Sequence, residues 1–487
     1  MSRDVRMKVV KRHMYLTFQS QRVRARERIR HRRWLIRRNI QRIRHILLLP
    51  VFVGRAVIVL AHSVFAYLFK FLHFRQHYYH HANMASVLLS QLLEDMQRAY
   101  FRAPWLSDVT IALIEGVGKI LSIMLRSLII AGLQLRIGDS VQLQRRLRQV
   151  PVDGYQMAMG VWLAWGEAAG YFRAQSFFIL PVMKSGRLVD PSSRDYPLPQ
   201  LRRYRCPLSV ADALLDIEDV YWNANVGAPV KVIRIGDDSS RARRVFFRTL
   251  QRFRHRSPRW IVVLAGTDHL EQSSTTNPAD SQSNLHECLH QPSLMRQGVH
   301  AAVLEAMKEC GITTPEQMAN ESVMIIGHSQ GAMIAMALAN DPDVAYNIRA
   351  IVSAGGPIGR FAVPDNTTIM ALRHRQDAIT ALGGFQGEFD PRITVMERSL
   401  EMPQSSALYY AHAASTYAET ARLTDRIAQR MPDSPIGRAM NDVNDFFPEQ
   451  LSGGKGSWTI KEIYEPSRVF IYEVIQECGL PEERQTQ

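Results

Sequence analysis

Residues 321–340 read ESVMIIGHSQGAMIAMALAN: a short apolar run, a glycine-flanked serine, then small and apolar helix formers. An apolar, largely β-branched run of only four residues, 323–326, has the character of a strand buried on both faces. Residues 333–339 have that of a helix packed close against a sheet. A strand that passes through a tight turn into such a helix belongs to a layered α/β fold. The turn also restricts the chemistry. A serine hydroxyl is a weak nucleophile unless a sharp turn presents it to a base on one side and oxyanion donors on the other, and G-x-S-x-G between strand and helix builds that turn. Gly327 and Gly331 are expected to be glycines because a side chain at either would strike the crossing strand and helix. Ser329 is the candidate nucleophile, His328 lines the turn, and the backbone N–H of Gln330 points where charge develops on a carbonyl oxygen. The start of the helix adds a favourable dipole there.

Further strands follow in an order that fits this beginning. Residues 260–265 form an apolar run that stops at Gly266-Thr267-Asp268, where a second oxyanion N–H is expected from Gly266 or Thr267. Residues 348–354 are a strand ending in Gly355-Gly356-Pro357, and residues 368–372 are another, running through His374 to Asp377. A last strand, 393–396, precedes His412. Asp377 is preferred as the acid over Glu388 and Asp390 because it directly follows a strand end, and sites of open α/β sheets lie outside the carboxyl ends of strands. His412 competes with a surface histidine at the start of a helix over 413–422. His374 and His328 are the weaker candidates for a base.

Ser329, Asp377 and His412 therefore stand in the order nucleophile, acid, histidine. In that order, over roughly residues 206–475, the chain resembles the α/β-hydrolase superfamily, and its strand ends and GHSQG elbow are most similar to lipase and esterase branches. The resemblance implies an α/β fold with a mostly parallel sheet flanked by helices. It implies that Ser329 attacks an acyl carbonyl, His412 moves the proton and Asp377 orients the imidazole. Gln330 with Gly266 and Thr267 would bind the oxyanion. The activity implied is hydrolysis of a carboxylic ester. Neither a metal nor an organic cofactor is called for.

Other segments of this half read as structural. Residues 230–235 alternate as a half-exposed strand paired antiparallel with the 260 strand. Residues 277–284 are a long polar loop, connecting by default or lining a substrate entrance, and 294–310 are a helix. The run Gly453-Gly454-Lys455-Gly456 lacks the spacing of a phosphate loop and reads as a hairpin turn.

The amino-terminal part differs in character. Residues 1–50 hold sixteen arginines and lysines against Asp4 and Glu27, a net of +14 out of +15 for all 487 residues. The basicity belongs to an arm, which precedes an apolar segment over 46–72 interrupted by Pro50, Gly54, Arg55 and Lys70. No base-reading module accompanies it, so the arm is read as a contact to an anionic membrane surface through residues 1–72 and not to nucleic acid. The uninterrupted apolar stretches, 46–54 and 56–69, are shorter than the roughly 20 residues needed to cross, which makes an in-plane anchor at least as good a reading as a span. A signal peptide is disfavoured by the long basic region. A second apolar stretch, 110–135, contains Glu115, Lys119 and Arg126 and carries Leu113, Val117, Ile120, Leu121, Met124 and Leu128 on one helical face. It reads as a core helix, or else as a membrane partner of the first. Cys206, Cys288, Cys310 and Cys478 form no disulfide framework and favour a reducing compartment.

The division expected is a basic arm over 1–45, a helical membrane-associating region over 46–205, and an α/β-hydrolase domain over 206–487, separated by the proline-rich stretch 191–207. The expected protein is a serine hydrolase of lipid or other esters, associated with a membrane on its cytoplasmic side. A non-catalytic scaffold of the same fold is the alternative.

Overall fold

A computed structural model of the chain describes residues 103–135, 140–168, 172, 174–188, 204–221, 226–236, 257–268, 276–383, 390–401, 407–451 and 463–478, with scattered positions between 54 and 101. The chain divides into two units, residues 1–104 and 105–487. In the first, the described positions from 54 to 101 are helical. The basic arm, most of the 46–72 segment, most of the proline-rich stretch and the glycine run at 453–456 lie outside the described residues.

The second unit begins with three helices, α1 (Trp105–Gln134), α2 (Ser140–Gln149) and α3 (Gly154–Ala168). Strands β1 (Ala174–Lys184) and β2 (Arg187–Leu188), helix α4 (Val210–Tyr221) and strands β3 (Ala228–Ile235) and β4 (Arg259–Leu264) follow. Helices α5 (Ser281–Cys288), α6 (Leu294–Glu309) and α7 (Pro315–Met318) lead to β5 (Ser322–His328), α8 (Gln330–Ala339), β6 (Asn347–Ala354), β7 (Thr368–His374) and β8 (Ile393–Arg398). Next come α9 (Ala407–His412), α10 (Ala414–Arg430), α11 (Pro435–Asn444), the short pair β9 (Gln450–Leu451) and β10 (Ile463–Tyr464), and β11 (Ser467–Cys478).

Among the described residues the centre is a nine-stranded sheet in the order β2-β1-β11-β3-β4-β5-β6-β7-β8. Strands β4 to β8 run parallel, whereas the β2, β1, β11 and β3 side is antiparallel. Successive residues of one strand feed opposite cores, as the period of two requires. Val323 and Ile325 of β5 meet the α6 and α8 side, while Met324 and Ile326 meet the α4, α10 and α11 side. The expected antiparallel pairing of 230–235 with the 260 strand is present, Val230 opposite Leu264 and Ile235 opposite Arg259. The strand is buried and not half-exposed, because helices cover both faces and Lys231 Nζ is matched at 2.6 Å by Asp216 of α4.

Two expectations are corrected here. The sheet takes in residues before the boundary placed at 206. Strand β1 pairs with β11 from Ala174 opposite Cys478 to Met183 opposite Ile471, which covers a long edge whose backbone groups would otherwise be unpaired. The polar segment 277–284 is also not simply a loop. Asp280 caps α5, its Oδ1 accepting the Ser283 N–H at 2.9 Å.

Candidate functional site

The site lies at the carboxyl ends of β4 to β7. Strand β5 ends in Gly327 and His328, and α8 opens with Gln330 and Gly331, so Ser329 is the single residue of the turn. Its backbone sits at φ 51°, ψ −118°, a conformation that a residue with a Cβ rarely adopts. Two hydrogen bonds hold it there, Ser329 N–H to the Ala354 carbonyl at 2.9 Å and Ala332 N–H to the Ser329 carbonyl at 3.1 Å. The turn closes only with glycine at 331, where a Cβ would come within 2.6 Å of the Ala265 carbonyl oxygen.

Asp377 follows β7 and is wholly buried. Its Oδ2 accepts from His412 Nδ1 at 2.8 Å and from the Tyr417 hydroxyl at 2.7 Å, and its Oδ1 accepts the Ile379 N–H at 3.0 Å. Burial alone would raise this carboxyl, but the neighbouring His412 and the three donors outweigh it and hold the group below the ordinary carboxylate range. An ionised acceptor fixes the proton of His412 on Nδ1, which leaves Nε2 with a lone pair. Gly355, at φ 65°, closes the turn after β6; a Cβ there would come within 2.7 Å of the Tyr417 ring. The rival Asp390 is taken up by Arg392 at 2.7 Å and is half-exposed, and Glu388 lies outside the described residues.

The segment bearing His412 is held by two other histidines. His328 Nε2 lies 2.6 Å from the His412 carbonyl, and His374 Nδ1 lies 2.7 Å from the Ala411 carbonyl. Carbonyl oxygens only accept, so both nitrogens carry the proton. The other nitrogen of each ring then accepts, from Tyr221 Oη at 2.8 Å for His328 and from Thr420 Oγ1 at 2.8 Å for His374. Glu218 of α4 takes the Tyr409 hydroxyl at 2.8 Å and the Ser415 N–H at 3.0 Å, one on each side of His412. Burial keeps both clamping histidines neutral, with His328 lowered to about 3 and His374 to about 4.

The two N–H groups expected at the end of β4 separate here. Gly266 donates its N–H to the Tyr221 hydroxyl at 2.5 Å, so its amide is already occupied and Gly266 is corrected as an oxyanion donor. Thr267 remains. Its turn is braced by Asn284 Nδ2 to Thr267 Oγ1 at 2.7 Å and by Asp268 N–H to the Ala279 carbonyl at 3.0 Å. The 277–284 segment also accepts Gln330 Nε2 on the Asp280 carbonyl at 3.1 Å. It therefore braces the residues on both sides of the serine.

Sequence reasoning missed Tyr221, Tyr417, Glu218 and Asp280, and gave His328 and His374 no positioning role. Replacing Tyr221 by phenylalanine is expected to lower stability by about 1–3 kcal/mol, because Gly266 N–H and His328 Nδ1 each lose a partner in a buried setting. Urea unfolding of the two proteins measures it. Among the described residues no cluster of histidine, cysteine and carboxylate side chains is arranged to hold a metal ion. Compared with family models, curated proteins and solved structures, the chain matches none.

Proposed function

We propose that this protein is a membrane-associated serine hydrolase of the α/β-hydrolase type that cleaves carboxylic esters, lipid esters among them, through an acyl-enzyme. The observation that carries the reading is the pair of half-buried His412 and buried Asp377 at 2.8 Å, beside a serine held in a strained elbow one residue from the histidine that clamps His412. In this reading Ser329 Oγ attacks the ester carbonyl as its proton passes to His412 Nε2. The amides of Gln330 and Thr267 receive the oxyanion. The C–O bond to the alcohol breaks, and the alcohol leaves with the proton from His412. Water, deprotonated by the same nitrogen, then releases the acid and restores Ser329. Asp377 stabilises the imidazolium that forms in each half.

Membrane association is supported by the basic arm and by α1, the one helix among the described residues that is long and apolar enough to cross a membrane. An anchor lying in the plane would leave the positive arm and the catalytic domain together on the cytoplasmic side, which is the side this reading favours.

Fluorophosphonate labelling of the purified protein tests the reading. Labelling is expected in the wild type and absent in Ser329→Ala and His412→Ala. A folded wild type that takes no label would overturn it and leave a scaffold of this fold as the better account. An ester panel of increasing acyl length, with and without anionic liposomes, then sorts substrates.

A further inference from the structure

From its sequence α1 reads as a core helix or else as a membrane partner of the 46–72 segment, and its packing contradicts the first of these. Its buried positions are Ser107, Ile111, Gly118, Ser122 and Ile129, a stripe that includes small residues and lets α3 approach closely. Gly118 and Gly154 face each other so tightly that a Cβ on either would overlap the other's backbone region. The face with the large side chains is left outside: Val117, Ile120, Met124 and Leu128 are 57 to 68% exposed. On α3, Trp162 and Trp165 are both 53% exposed.

The charges within 110–135 do not interrupt this face. Glu115 is paired with Arg360. Arg126 Nη1 donates to the carbonyls of Leu147 at 3.3 Å and Val150 at 3.0 Å, at the end of α2. Lys119 alone of the three is exposed, and a lysine can bury its stem in lipid with its ammonium at the surface. Among the described residues of α1 to α3 and their joins the exposed charges are Lys119, Arg145, Arg146 and Arg148 against Asp153 and Glu167, a positive balance. An apolar face on α1, exposed tryptophans on α3 and exposed arginines on α2 are together the chemistry that suits an anionic bilayer surface. Because α1 is held to protein from Ile111 to Ile129, the geometry is that of a helix lying in the membrane plane.

The same helices border the site. Helix α1 packs against the turn Ile379–Gly383 that follows Asp377. Arg360, in the loop leaving β6, stacks its guanidinium 4.2 Å from the Tyr155 ring of α3. We propose that α1, α2 and α3 form an in-plane docking surface for an anionic phospholipid bilayer, which sets the carboxyl edge of the sheet at the lipid interface. Docking stands on the exposed face itself; its purpose, supply of lipid ester to Ser329, rests on the hydrolase reading.

Tryptophan quenching on the full-length chain decides it, with phosphatidylcholine–phosphatidylserine vesicles carrying brominated acyl chains, against acrylamide in the water. The fluorescence lost in Trp162→Phe/Trp165→Phe should be the part quenched by bromine and shielded from acrylamide. Quenching by acrylamide with vesicles present, or absence of vesicle binding, overturns the proposal. Shielding from both quenchers also overturns it, since the face is then covered by this chain's own apolar segment at 46–72 or by a second copy. Val117→Asp/Met124→Asp alters only exposed positions and should lower vesicle affinity about tenfold or more with cooperative unfolding retained. Unchanged affinity of that folded variant counts against the surface. Wild-type fluorophosphonate labelling, read in the same samples, reports separately on the hydrolase reading, so docking without labelling removes the substrate and keeps the surface.

Discussion

Asp377→Asn is expected to slow acyl-enzyme formation by about 10⁴-fold in a protein that still folds. The carboxylate accepts three hydrogen bonds, two on Oδ2 and one on Oδ1. An asparagine has one oxygen and one NH₂ for the same two places. With its oxygen toward His412 and Tyr417, the NH₂ meets the Ile379 N–H donor to donor, and the charge that stabilises an imidazolium is gone. Turned the other way, it donates to His412 Nδ1, which moves the imidazole proton to Nε2 and removes the base. Either arrangement also leaves a buried donor unpaired, worth about 1–3 kcal/mol of stability. Burst kinetics with an activated ester, beside unfolding midpoints, measure both effects. A loss of less than about tenfold in a folded variant would remove Asp377 as the acid.

His328→Phe and His374→Phe are each expected to lower kcat by about 10²-fold, the scale of a displacement near 1 Å in a reacting group. Neither ring acts on substrate in this reading; each positions His412 by donating to a carbonyl of its own segment. The substitution that restores activity differs for the two. His328 donates from Nε2, so His328→Gln should recover most of the rate, whereas His374 donates from Nδ1, so His374→Asn should do so. Recovery by the wrong amide at either position would argue that the residue only fills space. The pH dependence follows from the same burial. An unfolded histidine titrates near 6.5, while the folded values lie at about 3 and about 4. Below pH about 6.5 the unfolded chain takes up protons that the folded chain refuses. Stability therefore falls as pH drops from there toward 4, by up to about 1.4 kcal/mol per pH unit for each histidine, and neither contributes above that range. Chemical denaturation at several pH values, compared with the Gln/Asn double variant, isolates this contribution.

The elbow was legible in the sequence because it is local: strand, turn and helix occupy consecutive residues, and glycine at 327 answers a contact that the turn itself creates, a Cβ there falling 2.3 Å from the Gly331 carbonyl carbon. The strand ends that carry Gly266, Asp377 and Gly355 were legible too, since apolar runs and their termini mark the carboxyl edge of a parallel sheet. Asp377 and His412 could be nominated from their order along the chain, and in the folded protein they lie in hydrogen-bond contact.

What the sequence by itself determined was the α/β layering, the sharp serine turn and the candidates Asp377 and His412, set by short-range sterics, by strand and helix period and by order along the chain. Tertiary structure alone decided which groups hold which. Tyr221 lies 107 residues from His328, yet its hydroxyl contacts that ring and also takes the Gly266 N–H. Strand β1 joins a partner from the far end of the chain because an open edge of β11 must be covered, and α1 turns its small residues inward because Gly118 and Gly154 permit closer packing than its large side chains would. A hydrogen bond or a packed face depends on where the partner arrives, and no period along the chain encodes that position.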